Sequence, residues 1–235
     1  MRHARVWLAA AAAVVLVFGL TGAHAKTIQL SAAEIRIELN ATDLDAGIQI
    51  FLDGEGWDRM IGIDPDGNTI LDISAVGSIG IQGITELFFE SAEPSLEEQS
   101  LEELFELFPE GIYKFEGTTT EGDVLKGRAR LTHALPDGPE LVLPEEDADE
   151  VDPDNTVIEW ELVDDPAGSR IIGYMIIVER ESGGLRVFSA DVGPETTSVT
   201  VPPEFMASGT AYKFEVLAIE ASGNQTISER EFETD

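Results

Sequence analysis

Cysteine is absent from all 235 residues, so no disulfide, thiolate metal site or cysteine nucleophile is available and packing alone must hold the fold. Histidine is nearly absent too. His3 and His24 sit in the N-terminal leader, which leaves His133 alone and excludes a zinc site built on histidines. No Gly-x-Ser-x-Gly stretch accompanies it, so a serine triad has no second signal. Basic residues are few: 14 Lys and Arg stand against 46 Asp and Glu, a net charge of −32. Such a charge excludes nucleic acid as a partner and repels anionic membrane surfaces.

Long apolar runs are missing as well, apart from the first residues. Met1 to Arg5 are positively charged, Val6 to Leu20 are uncharged and rich in Ala, Val and Leu, and Ala23-His24-Ala25 has the small-x-small form of a cleavage site. This layout predicts a signal peptide over residues 1–25 and export to the periplasm or the exterior. Nothing after it reaches the ~18 apolar residues of a membrane helix, so no membrane span is expected after cleavage. Losing Arg2 and Arg5 with the leader moves the net charge from −32 to −34.

What remains suggests two domains. Pro136-Asp137-Gly138-Pro139 and the acidic stretch Glu145 to Asp154 combine turn formers with like charges that resist packing. The joint is therefore placed at Pro136 to Pro139, between a domain over 26–136 and another over 137–235. After it, β-branched and aromatic runs separated by Gly, Pro, Asn and Asp predict seven strands: Glu140 to Leu143, Thr156 to Glu161, Ile171 to Arg180, Leu185 to Asp191, Ser198 to Val201, Ala211 to Glu220 and Gln225 to Phe232. Tyr212, Phe214, Val216 and Ala218 alternate with Lys213, Glu215, Leu217 and Ile219, which assigns them to opposite faces.

The first domain also reads as strands, over Glu34 to Leu39, Ile48 to Leu52, Arg59 to Ile63, Thr69 to Val76, Ile112 to Thr118 and Val124 to Thr132. A Ser-x-x-Glu box at Ser95 predicts a helix whose Leu101, Leu104, Phe105 and Phe108 share one face before Pro109 ends it. The expected fold class is all-β: two β-sandwich domains, the N-terminal one carrying an inserted amphipathic helix.

The second domain resembles a known family. Val157-Ile158-Glu159-Trp160, Gly173-Tyr174-Met175-Ile176-Ile177-Val178-Glu179-Arg180, the run from Ser208 to Val216 and Ser222-Gly223-Asn224 are together similar to a fibronectin type III domain. The resemblance implies that Trp160 lies in the core and that Tyr212 forms a tyrosine corner, its hydroxyl bonded to upstream backbone, with Tyr174 as a further structural position. It says little about function, because the fold hosts many unrelated tasks. No Arg-Gly-Asp tripeptide is present.

Hard oxygen ligands are what this sequence has in excess, which makes calcium the metal to weigh. Asp43 and Asp45 form one candidate loop and Asp64 and Asp66 another, although neither follows an EF-hand and Asp64-Pro65-Asp66-Gly67-Asn68 is also good turn chemistry. Trp57, in a Gly-rich turn, is the aromatic to test for sugar stacking, with a core position as the competing reading. Two readings result. One is a non-catalytic, adhesion-type binding or scaffold protein; the other is a calcium-assisted carbohydrate-binding module or small carbohydrate-active hydrolase. The protein or glycan ligand and the oligomeric state stay open.

Overall fold

A computed structural model describes residues 25–235, so the expected signal peptide lies outside the described residues apart from Ala25. The N-terminal half contains β1 (Thr27–Gln29), β2 (Ala32–Asn40), β3 (Asp45–Ile63), β4 (Thr69–Ser74), α1 (Gly77–Gln82), β5 (Ile84–Glu90), α2 (Leu101–Leu107), β6 (Gly111–Thr119) and β7 (Val124–Leu131). In the C-terminal half lie β8 (Leu141–Leu143), β9 (Ala148–Val151), β10 (Val157–Trp160), β11 (Ile171–Arg180), β12 (Leu185–Val192), β13 (Ser198–Thr200), β14 (Ala211–Glu220) and β15 (Gln225–Thr234).

The chain is all-β, and each half packs around its own apolar core. In the N-terminal half, alternate residues of β2, β3, β6 and β7 point inward, among them Ile35, Ile37, Ile50, Met60, Phe115 and Leu131. β3 organises that half. Its first part pairs with β2 and β5, and its second with β4 and β6. Asp53 to Trp57, expected as a turn between two strands, is instead a bulge where one strand changes partners. Gly54 permits the bend, because a Cβ there would sit 2.7 Å from Leu30.

The helix starts a turn later than its first capping box suggests. Ser95 and Ser100 each open a Ser-x-x-Glu box, but Ser95 is held in a bridge to Asp45 and the Leu96 N–H donates to the Leu44 carbonyl. Ser100 is the cap: its hydroxyl accepts from the Glu103 N–H while the Glu103 carboxylate accepts from the Ser100 N–H. Leu104 is buried, and Leu101, Phe105 and Phe108 pack against the same core as expected. The short α1 and the strand β5 were not foreseen.

In the C-terminal half, β13-β10-β8 form one antiparallel sheet and β15-β14-β11-β12 the facing one. Their inner faces meet at Ile158, Trp160, Tyr174, Ile176, Val178, Phe214 and Val216. β9 adds a strand parallel to the end of β15.

The halves are joined by backbone. Glu38, Leu39 and Asn40 of β2 run parallel to Gln225, Thr226 and Ile227 of β15, so the order β1-β7-β6-β3-β2-β15-β14-β11-β12 continues from one sandwich into the other. The Pro136 to Pro139 joint lies along β15: the Pro136 carbonyl accepts from the Thr226 hydroxyl, and Gly138 rests against Ala41 and Ser228.

Candidate functional site

The side chains with the most elaborate polar surroundings are at this seam. Asn224 is fully enclosed. Its Oδ1 accepts from the Ile37 N–H at 2.9 Å, and its Nδ2 donates to the carbonyls of Thr132 at 2.8 Å and Ala134 at 2.9 Å. One side chain thus ties the β14–β15 turn to both β2 and the segment leaving β7. The hydroxyls of Thr132 and Ser222 meet at 2.7 Å, and the enclosed Glu220 carboxylate accepts from Ser169 and Ser222. The buried side chains of this network, Asn224 and Glu220, both have partners, which is the condition for such a network to stabilise a single arrangement.

On the other side of β2 the seam becomes acidic. Glu38, 8% exposed, accepts from Gln225, while Gln49 receives the Arg36 Nε–H at 2.8 Å and donates to Glu90 at 2.7 Å. Glu38, Glu90 and Glu93 bring carboxylate oxygens within 4.8 Å of one another. Burial raises the Glu93 pKa to about 7, with further contributions from the charges of Glu38, Glu90 and Asp45; Glu38 is raised by burial first and by Glu90 second. The spacing allows these groups to face a common cation.

The residues singled out from the sequence are dispersed. Trp57 is buried with no exposed surface, so it presents no face to a sugar and the stacking reading is corrected to a core one: the β3 bulge turns the indole inward. Asp43 and Asp45 lie at the start of the 19-residue β3, and Asp64 and Asp66 just beyond its end. Asp64 is committed to its own turn, accepting from the Asn68 N–H at 2.7 Å and its amide group at 2.9 Å. Asp45 sits near Asp43 and Glu229, whose charges add to burial in raising its pKa. No two of these loops converge on one concavity. Asn224, Gln225, Glu38 and Gln49 were missed because nothing local marks a turn asparagine as reaching residues nearly 190 positions away.

The structural positions behave as core anchors. Trp160 and Tyr174 pack with ring centroids 5.4 Å apart, and the Tyr174 hydroxyl accepts from the Val163 N–H at 2.9 Å. Tyr212 is enclosed and stacked on Phe232, and its hydroxyl accepts from the Ala207 N–H five residues upstream, at 2.8 Å. A three-stranded sheet facing a four-stranded one, with this tyrosine at the start of β14, decides the fold. The C-terminal half has the fibronectin type III fold.

No protein-family model and no curated protein matches the chain. Among solved structures it is similar to fibronectin(III)-like modules of Clostridium thermocellum CbhA, at 9% identity over 88% of this chain and 93% of that one, with a TM-score of 0.35. A two-domain fibronectin type III segment of chicken tenascin gives 10% identity over 87% and 99%, with a TM-score of 0.31. The fn3 domain of the human collagen alpha-1(XX) chain gives 27% identity over 42% and 82%, also at 0.31. The fibronectin type III assignment rests on strand order and core anchors. Among the described residues, no helix is long and apolar enough to cross a membrane.

Proposed function

We propose that this is an exported, non-catalytic scaffold protein that presents two β-sandwich modules in a fixed relative placement, the fibronectin type III module acting as a rigid extension of the first. The observation that carries the reading is the β2–β15 pairing, backed by the enclosed Asn224. A flexible tether would need neither continuous backbone pairing nor a buried amide bridging three segments. The acidic surface suits export into surroundings where like charges keep molecules apart. The calcium-assisted carbohydrate reading has less support, since Trp57 is enclosed and the four aspartates lie at opposite ends of β3.

Small-angle scattering tests the proposal. With a net charge of −34 after loss of the leader, two loosely tethered modules would separate at low ionic strength, where the Debye length is about 30 Å at 0.01 M. The scaffold reading predicts the same pair-distance distribution at 0.01 M and 1 M sodium chloride. A distribution that lengthens at low salt refutes it.

A further inference from the structure

Several arginines of this carboxylate-rich chain form no ion pair among the described residues, and two of them stand side by side. Arg128 and Arg130 lie on the outward face of β7, both exposed, and neither forms an ion pair or a side-chain hydrogen bond among the described residues. They border a groove of about 1330 Å³ between β7, β2 and the loops of the fibronectin type III module. Arg36 lines it too. The groove's own carboxylates are already engaged by other groups of its lining: Glu34 lies 3.7 Å from Arg36, Glu110 accepts from the His133 N–H at 2.7 Å, and Glu220 accepts from Ser169, Ser222 and the Asn224 N–H.

The walls of this groove are strand edges. β1 pairs with β7 only as far as Lys126, whose carbonyl accepts from the Leu30 N–H; the pairing Val124 N–H donates to Lys26 on the same side. Backbone groups of alternate residues share an edge, so those of Arg128 and Arg130 continue that edge, with β2 beside them but not paired to them and Ala33 packed against Gly127. Opposite, the Ile37 N–H points away from β3 to Asn224, which places the backbone groups of Ala33 and Ile35 on the facing edge of β2. No backbone hydrogen bond links β2 to β7. The groove therefore offers unpaired amides and carbonyls together with two arginines about 6.8 Å apart, the period of alternate residues in an extended strand. No tryptophan, tyrosine or phenylalanine lines it, so it lacks the flat apolar platform on which a sugar ring stacks.

We infer that the outward face of the groove between β2 and β7 binds an extended acidic peptide segment of a partner protein, whose carboxylates at alternate positions pair with Arg128 and Arg130. This names a partner for the scaffold reading. Its two arginines belong to one module, while the far wall of the groove comes from the fibronectin type III loops.

The test is titration of the full chain without its leader against the synthetic peptide Ac-Val-Glu-Val-Glu-Val-Glu-Val-NH2 in 0.15 M sodium chloride. Overall repulsion works against this peptide, so saturable binding reports a local site. The expected result is saturable binding that weakens at least tenfold in Arg128→Gln/Arg130→Gln and in Arg128→Glu/Arg130→Glu, with melting temperatures close to that of the parent because both side chains are exposed. Replacing the peptide's Glu by Gln should weaken binding as strongly, and amide shifts should centre on β7. Absence of binding, equal affinity in the arginine variants, or tighter binding of oligogalacturonate than of the peptide overturns the proposal, the last by assigning the groove to an anionic glycan.

Discussion

Replacing Asn224 by alanine removes the side chain that ties the two sandwiches together. Three backbone groups lose a partner at once: the Ile37 N–H and the carbonyls of Thr132 and Ala134. A buried group left unpaired costs about 1–3 kcal/mol, most for an N–H that has a single bond to make. Ile37 is enclosed, so its N–H carries the larger share; the two carbonyls border the groove beside β7, where water can reach them. The sum is about 3 kcal/mol, which for a chain of this size corresponds to a fall in melting temperature of roughly 6–12 °C. Thermal and urea unfolding give the global figure. Hydrogen exchange then locates it: the amides of Ile37 and Ala41, which donate across the seam, should lose protection, while those of Ile176 and Val216 inside the fibronectin type III core should keep theirs. A loss below about 0.5 kcal/mol, the size of an ordinary surface substitution, refutes the reasoning.

Two further outcomes follow from side chains at fixed places. The pKa of Glu93 is raised to about 7 in the fold, so the stability linked to its protonated form is complete below pH ~4.5 and is lost as pH rises through 7. A shift of that size is at most about 3 kcal/mol; Glu93 is open to water, which reduces it to about 1 kcal/mol. Glu93→Gln should thus match the parent near pH 4.5 and exceed it by about that amount at pH 8, and a difference that is the same at both pH values contradicts the assignment. Tyr212→Phe leaves the Ala207 N–H without its acceptor and should cost about 1 kcal/mol in urea unfolding; an unchanged midpoint removes the tyrosine corner.

Much of the second sandwich was legible in the sequence because its signals are local. Ile171–Arg180 and Ala211–Glu220 have the expected bounds, since period-2 burial and the flanking turn residues both sit within a few positions of each strand. The first sandwich was harder to read. Asp53-Gly54-Glu55-Gly56 has turn composition but forms a bulge, because Leu30 packs where a side chain at 54 would go. β5 escaped notice because adjacent Phe88 and Phe89 break the alternation that marks a half-buried strand, and both are exposed. Two equal capping boxes competed, and a long-range bridge at Ser95 decided between them. Glu38 alternates with Ile37 and Leu39 and so falls by pattern on a wet face; it is enclosed because β15 arrives beside it. The seam as a whole was invisible for that reason, being made of residues at opposite ends of the chain.

The central claim, that one sheet fixes the two sandwiches relative to each other, is tested most directly by residual dipolar couplings of backbone amides in a dilute aligning medium. The account predicts that couplings from residues 27–131 and from residues 141–234 fit a single alignment tensor. Two tensors of different magnitude, the mark of a hinge between independently tumbling modules, would contradict it.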